Sequence, residues 1–461
     1  MLPTTTTFTQ LETIRDYYES GVTRPYEFRK RQLELLKEVI LKYENEINEA
    51  LYSDLRKSPE EVYATETGLL LAEINLTIKN LHRWMRPERV KTNLLNFPSS
   101  SKILREPQGV VLIISPWNYP LQLLLIPLVG AIAAGNCAIL KPSELAPATS
   151  NLIKKIINEI FSAEYIRIYL GEGSELIPAM MERFHFDHIF YTGSIAVGKS
   201  IYQMAAKDLI PVTLELGGKN PAIVENDADL IIAAKRIVIG KFINAGQTCV
   251  APDYLLIHKD IFEKFVFQLT QTIKQFFGNN AEESYDYGKI INEKRFDTLV
   301  SYMDEGDIVS GGRQNRESLF IEPTLLKNIS PDSSIMKEEI FGPILPVIPF
   351  KSMEEAITII KKNENPLAFY VFTSDVRKEK EWLEKVSFGG GCVNNTIYHL
   401  SNPRLPFGGV GNSGIGGYHG KYSFDLFTHA KPVMKTPTWF DPSMKYPPLK
   451  GKLKLFKFFI K

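Results

Sequence analysis

The sequence predicts an α/β protein with two domains, the first built on a doubly wound parallel sheet. Segments 110–114 and 137–140 are continuous apolar runs, the mark of strands covered on both faces. Segments 166–170, 188–191 and 212–214 continue the series with helical stretches between them, the order of a doubly wound sheet. At 461 residues the chain exceeds one ordinary core, and a second alternating region runs over 222–393.

Composition narrows the classes. The 44% hydrophobic and 23% charged fractions are those of a globular protein able to bury a large interior. Lys plus Arg (54) nearly balance Asp plus Glu (53), so a net charge of +1 gives no electrostatic case for nucleic acid as a partner. Cys137, Cys249 and Cys392 are odd in number and far apart, which argues against a disulfide framework and fits a reducing, cytoplasmic compartment. The start, Met1-Leu2-Pro3 and a threonine run, lacks the basic and apolar regions of a secretory signal. No apolar run reaches the ~20 residues that span a bilayer. The longest, 121–134, contains Gln122 and Pro127 and reads as a buried helix.

The elements follow in order. Phe28, Leu36, Ile40, Tyr43, Ile47 and Leu51 recur at spacings compatible with one helix face. A second helix runs from about Pro59 through Val62, Leu69, Leu70, Ile74, Ile78 and Leu81. Ser58 is its N-cap, Pro59 its first residue, and Glu60 and Glu61 sit in its first turn. Segment 87–107 is a less periodic crossing. The two α/β halves join near 215–221, and glycines cluster at 389–391 and 408–417 before a mostly polar end.

Turn segments between these elements carry the candidate chemistry, and each has two readings. In 242–252, Cys249 stands on a helix-to-strand turn after 227–241, where a thiol can face a cleft; it also reads as a small buried hydrophobe. Asn118, in 115–120 past the first strand, can aim its amide at a developing oxyanion or simply form a turn. Lys141, Ser143 and Glu144 end the next strand, where a cation and a carboxylate suit an adenosine ribose or a plain solvated loop. Gly193, Ser194 and Gly198 join a strand to a helix, with the glycines five apart rather than in G-x-G-x-x-G spacing. The turn suits a pyrophosphate, or no ligand at all. Glu215 ends an apolar strand beside Gly217-Gly218, where desolvation suits a general base, or it is a surface acid on a turn. Glu339 and Phe341 precede Gly342-Pro343 and suit sugar hydroxyls and a flat ring, or form a surface turn. Segment 406–414 is a glycine-rich loop.

Taken in order, these segments resemble the aldehyde dehydrogenase superfamily over almost the whole chain. The details resemble the class 3 branch, which includes fatty and aromatic aldehyde dehydrogenases. They are the short N-terminus, Gly240-Lys241-Phe242 leading into Gly246-Gln247-Thr248-Cys249-Val250-Ala251-Pro252-Asp253-Tyr254, His419-Gly420-Lys421-Tyr422-Ser423-Phe424, and Lys445-Tyr446-Pro447-Pro448.

The resemblance implies a Rossmann-like NAD(P)-binding domain (1–86 and 106–214), a catalytic domain (215–415), and a bridging and oligomerisation element (87–105 and 416–445). It implies that Cys249 attacks an aldehyde and passes through a thiohemiacetal and a thioester to a carboxylic acid. Asn118 and the backbone N–H of Cys249 would hold the oxyanion, and Glu215 would activate the hydrolytic water, with Glu339 its rival. NAD would lie on Lys141, Ser143, Glu144, Gly193, Ser194, Gly198, Glu339 and Phe341, with NADP accepted through Lys141. A homodimer is implied and no metal. Cys137 and Cys392 match no catalytic position.

The tail, 446–461, places Leu449, Leu453, Phe456 and Ile460 at helical spacing and Lys450, Lys454, Lys457 and Lys461 on another face. Such a basic amphipathic helix suits peripheral contact with an anionic membrane, or docking on a partner subunit or near the substrate entrance. Two other functional classes compete with the dehydrogenase: a thiol esterase or acyltransferase without redox chemistry, and a non-catalytic protein that kept the fold.

Overall fold

The computed structural model describes residues 11–460. Met1-Leu2-Pro3 and Lys461 lie outside the described residues. Among those described, the first sheet has six strands. Their order is Gly414–Ile415, Val212–Leu216, His188–Gly193, Val110–Ile114, Cys137–Lys141 and Ile166–Ile168. All pairs are parallel except the short edge strand, which runs antiparallel to Val212–Leu216. Every residue of Val110–Ile114 and Cys137–Lys141 is buried, which is why these strands read as unbroken apolar runs.

The chain winds from Val110–Ile114 outward in one direction, then returns to its other side at His188–Gly193. Winding therefore reverses between these two strands, and a crevice opens beyond their C-terminal ends. Asn118 and Ser194 follow those two ends. The expected helix is Gln122–Ala134; all of it is buried, and it stops at Gly135 in the left-handed region (φ 91°).

The second sheet has seven strands among the described residues. They lie in the order Asp307–Ser310, Thr324–Lys327, Ile344–Phe350, Tyr254–His258, Pro221–Val224, Ala368–Phe372 and Gly390–Val393. The helix read over 227–241 is Leu230–Phe242, capped by Asp229, whose side chain accepts from the N–H groups of Ile231 and Ile232.

Three readings change. The helix from Pro59 is not continuous: Pro59–Val62 gives way to a π-helical turn, Tyr63–Thr67, before Gly68–Trp84. Ser58 caps it as read, accepting from Glu61 N at 3.3 Å. Segment 87–107 contains two strands, Glu88–Val90 and Ser100–Pro107, and the second pairs antiparallel with Thr428–Lys435. That sheet is exposed along much of its length, so it lacks the apolar signature of the buried strands. The tail helix is only Leu453–Phe459, so Leu449 and Lys450 precede it and Ile460 follows it. Among the described residues, no helix is long and apolar enough to cross a membrane.

Candidate active site

The turn before Cys249 is built from strained backbone. Asn244 (φ 51°) and Ala245 (φ 50°) are consecutive non-glycine residues in the left-handed region. Such residues cost free energy and persist where neighbours over-determine them. Here the neighbours are polar. Asn244 N donates to Glu61 Oε1 at 3.0 Å, and Asn244 Nδ2 donates to Asn118 O at 2.9 Å. Gln247 Nε2 donates to Asn244 O at 3.0 Å and to Lys289 O at 2.9 Å, while Ile291 N donates to Gln247 Oε1 at 3.0 Å. Position 246 has to be glycine: φ is 75°, and a Cβ would collide with the backbone of Gly342.

The segment beyond the turn is clamped as well. Asn220 Nδ2 donates to Cys249 O at 2.7 Å and to Ala251 O at 3.1 Å. Tyr370 Oη donates to Val250 O at 2.6 Å. Rigid elements on both sides thus hold the thiol.

Two hollows meet at Cys249. One is a cleft of about 1130 Å³ running over the switch point of the first sheet, lined by Trp117, Gly193, Ser194, Glu215, Glu339 and Phe341 among others. The other is a cavity of about 120 Å³ with a largely apolar wall that includes Leu69, Tyr119, Ile243, Val250 and Leu400. Leu123, Cys249, Phe407 and Tyr418 line both. Burial, then the Glu339 and Glu215 carboxylates, pushes the Cys249 thiol up to about 12, so the resting group is neutral.

The other candidates divide. Asn118 is buried beside the thiol turn; its Nδ2 donates one N–H to Gln247 O at 3.0 Å, and its Oδ1 has no hydrogen-bond partner. Glu215 is buried with neither carboxylate oxygen hydrogen-bonded, and burial holds its carboxyl well above the usual range. Glu339 is half-buried and pushed up to about 8, by burial first and by Asp253 second. Its carboxylate occupies the space a Cβ on residue 217 would need, which accounts for Gly217. Phe341, held at φ 46°, sets its ring edge-on to Trp117 at 5.4 Å and 82°.

Gly193 and Ser194 reach the cleft where the helix Ile195–Ala206 begins, and Ser194 caps that helix by accepting from Val197 N at 3.4 Å. Gly198 serves packing instead: a Cβ there would meet Leu216 at 2.6 Å. Lys141, Ser143 and Glu144 do not line the cleft. Lys141 is buried and donates to Glu144 Oε2 at 2.8 Å and to Pro142 O at 2.7 Å. Ser143 Oγ accepts from Leu145 N at 3.2 Å. Cys137 is buried in its strand, whereas Cys392 is half-buried with Sγ 3.7 Å from His399 Nδ1.

The cleft fits a dinucleotide. A capped helix N-terminus and bare glycine suit an anion, and Glu339 Oε1 is a buried acceptor without a protein partner, suited to a sugar hydroxyl. Trp117, Lys199 and Arg295 line the cleft too, and the sequence motifs assigned none of them a role.

The family model for the aldehyde dehydrogenase family matches residues 16–433. The chain belongs to the aldehyde dehydrogenase family. It is 47% identical over 447 residues to the 4,4'-diaponeurosporen-aldehyde dehydrogenase of Staphylococcus aureus (strain NCTC 8325 / PS 47), covering 96% of this chain and 97% of that one. It is 43% identical over 441 residues to a mouse aldehyde dehydrogenase described as dimeric and NADP-preferring, covering 95% and 97%. The fold superposes on substrate-bound AldH of Staphylococcus aureus with a TM-score of 0.96 at 46% identity, covering 98% of this chain and 99% of that one. As an aldehyde dehydrogenase, the protein oxidises aldehydes to carboxylic acids. Class 3 relatives are among those it resembles, as the sequence motifs implied.

Proposed function

We propose that this dehydrogenase oxidises medium- or long-chain aliphatic or aromatic aldehydes through a thioester on Cys249, with Asn118 and Glu215 in supporting roles. The observation that carries this reading is the position of Cys249 in the wall shared by the cleft and the apolar cavity. A hydrocarbon or aryl tail fits the cavity, whose polar lining is sparse. The oxidant, NAD or NADP, fits the cleft.

In this reading sulfur bonds to the aldehyde carbon as the Cys249 proton passes to solvent in the cleft. The charge developing on the carbonyl oxygen is met by the second N–H of Asn118 Nδ2 and the backbone N–H of Cys249. NAD or NADP, bound in the cleft, would supply the hydride acceptor that turns the thiohemiacetal on Cys249 into a thioester. Glu215, ionised, takes a proton from water as its oxygen attacks that carbon. The carbon–sulfur bond then breaks, releasing the acid and restoring the thiol. Gly193, Ser194, Glu339 and Phe341 would hold the cofactor. Lys141, Ser143 and Glu144 would act from the neighbouring strand end. Glu339 is the alternative base, because its carboxyl, pushed up to about 8, is ionisable near neutrality.

A dimer, joined through the exposed sheet of Ser100–Pro107 and Thr428–Lys435, completes the proposal. It is supported by the relative named as dimeric. Contact of the tail with an anionic membrane is a further proposal, supported by the exposure of Leu453, Phe458 and Ile460. The test is a panel of aldehydes assayed with NAD and with NADP. Reduced cofactor should form with apolar aldehydes. Turnover confined to small polar aldehydes would overturn the apolar-substrate reading.

A further inference from the structure

Beneath Asn118 lies a buried ion pair that the reaction scheme does not use. Lys57 and Glu66 have side chains that are both 0% exposed, and Lys57 Nζ donates to Glu66 Oε1 at 2.8 Å. The same ammonium donates to the backbone carbonyl of Asn118 at 2.9 Å and stands 3.9 Å from the centre of the Tyr119 ring. The other oxygen of Glu66 accepts from the N–H groups of Leu121 at 3.2 Å and Gln122 at 2.9 Å, at the start of the helix Gln122–Ala134. The pair therefore grips the turn 118–122 from both ends.

Its reach continues to the thiol. Tyr119, under the Lys57 ammonium, shares a 2.5 Å hydrogen bond with the hydroxyl of Thr248, the residue before Cys249. Asn118 O is also held by Asn244 Nδ2 at 2.9 Å, so one carbonyl ties the turn 118–122 to the strained loop behind the thiol. The π-helical turn Tyr63–Thr67 contains Glu66, and its wide turn leaves no room for a side chain at Gly68.

Stability does not account for this arrangement. Taking two charges out of water costs about as much as their attraction returns, so apolar residues of similar volume would serve as well. What an apolar pair could not supply is a directed bond to the Asn118 carbonyl. With its peptide plane held by Lys57 and its side chain held to Gln247 O, Asn118 has one direction left for its second N–H. A misplacement of about 1 Å at such a donor costs on the order of 100-fold in rate.

We propose that Lys57, charge-balanced by Glu66, is a positioning residue for the reaction at Cys249, fixing the Asn118 turn so that its amide faces the oxyanion. The proposal rests on the reading of Asn118 as the oxyanion donor.

The test is a double-mutant cycle. Lys57→Met with Glu66→Gln removes both charges, keeps the length of the stem, and leaves a carbonyl to accept from Leu121 and Gln122. In the wild-type background kcat should fall about 10- to 100-fold, with the KM for cofactor within about twofold. In an Asn118→Ala background the same change should cost less than about twofold, because the interaction it serves is already gone. Equal losses in both backgrounds, or no loss in either, overturn the proposal. Asn118→Ala alone tests the underlying reading: an unchanged kcat removes the oxyanion assignment itself. Should the Met variant not accumulate, Glu66→Gln alone, which strips Lys57 of its counter-charge, goes through the same cycle and is decided by the same two outcomes.

Discussion

The side-chain amide of Asn118 donates to the backbone carbonyl of Gln247 at 3.0 Å, joining residues 129 positions apart. One is at the end of the first sheet's switch-point strand, and the other is in the strained turn before the thiol. Displacing either element disturbs both the amide and the thiol, so the proposed oxyanion contacts stand or fall together.

Replacement of Cys249 by serine tests the nucleophile. Aldehyde-dependent formation of reduced cofactor should fall by at least about 10³-fold, since an alcohol is a far weaker nucleophile than a thiolate. Cofactor affinity, read by quenching of protein fluorescence, should change little. Retained turnover would remove Cys249 from the mechanism.

The pH dependence tests the base. Burial raises the Glu215 carboxyl well above its ordinary range, so the protonated form persists to higher pH and the base appears only as pH rises through the shifted value. The rate of thioester hydrolysis should therefore climb with pH. Glu215→Gln should lower kcat by about 10²–10⁴-fold and flatten that climb. If the climb survives in Glu215→Gln and vanishes in Glu339→Gln, Glu339 is the base.

Stability has its own pH signature. Glu73 is buried, accepts from Gly420 N at 2.6 Å, and is pushed up to about 7 by burial. Its folded value lies above its unfolded one, so its contribution is complete below ~4.3 and lost as pH rises through about 7. Glu73→Gln keeps a carbonyl acceptor but removes the titration. The fall in Tm between pH 5 and pH 8 should shrink by a few degrees in calorimetry; an unchanged fall would show that Glu73 titrates normally.

Deletion of residues 449–461 tests the tail. Leu453, Phe458 and Ile460 are each more than 60% exposed, an apolar display beside Lys454 and Lys457. The full-length protein should sediment with anionic liposomes and the truncated one should not, whereas neutral liposomes should bind neither. Equal sedimentation of both forms would dismiss membrane binding by this segment.

Much of the fold was legible because buried parallel strands leave a dense local signal, as at Val110–Ile114 and Cys137–Lys141. Ser100–Pro107 left none: it is stabilised by pairing with Thr428–Lys435, more than three hundred positions away, and only Pro107 of its eight residues is fully buried. The site was legible as separate turns, and geometry adds how they relate. Asn118, Glu215 and Cys249 converge on one cleft, whereas Lys141 and Glu144 pair with each other outside its lining. Lys57 and Glu66 were invisible as a unit, since nine residues apart in a polar stretch they read as solvated charges. Gly217 announced a tight turn, but not that the Glu339 carboxylate takes up its missing side chain.

The four residues shared by cleft and cavity set the Cys249 thiol on the border of both chambers. A molecule in the apolar cavity borders the thiol without filling the other chamber, so occupancy of one need not exclude occupancy of the other. Inhibitor chemistry inherits the same layout. A fragment anchored among Ile243, Val250 and Leu400 and one seated in the cleft would both border Cys249, and a tether past the sulfur would join them into one ligand.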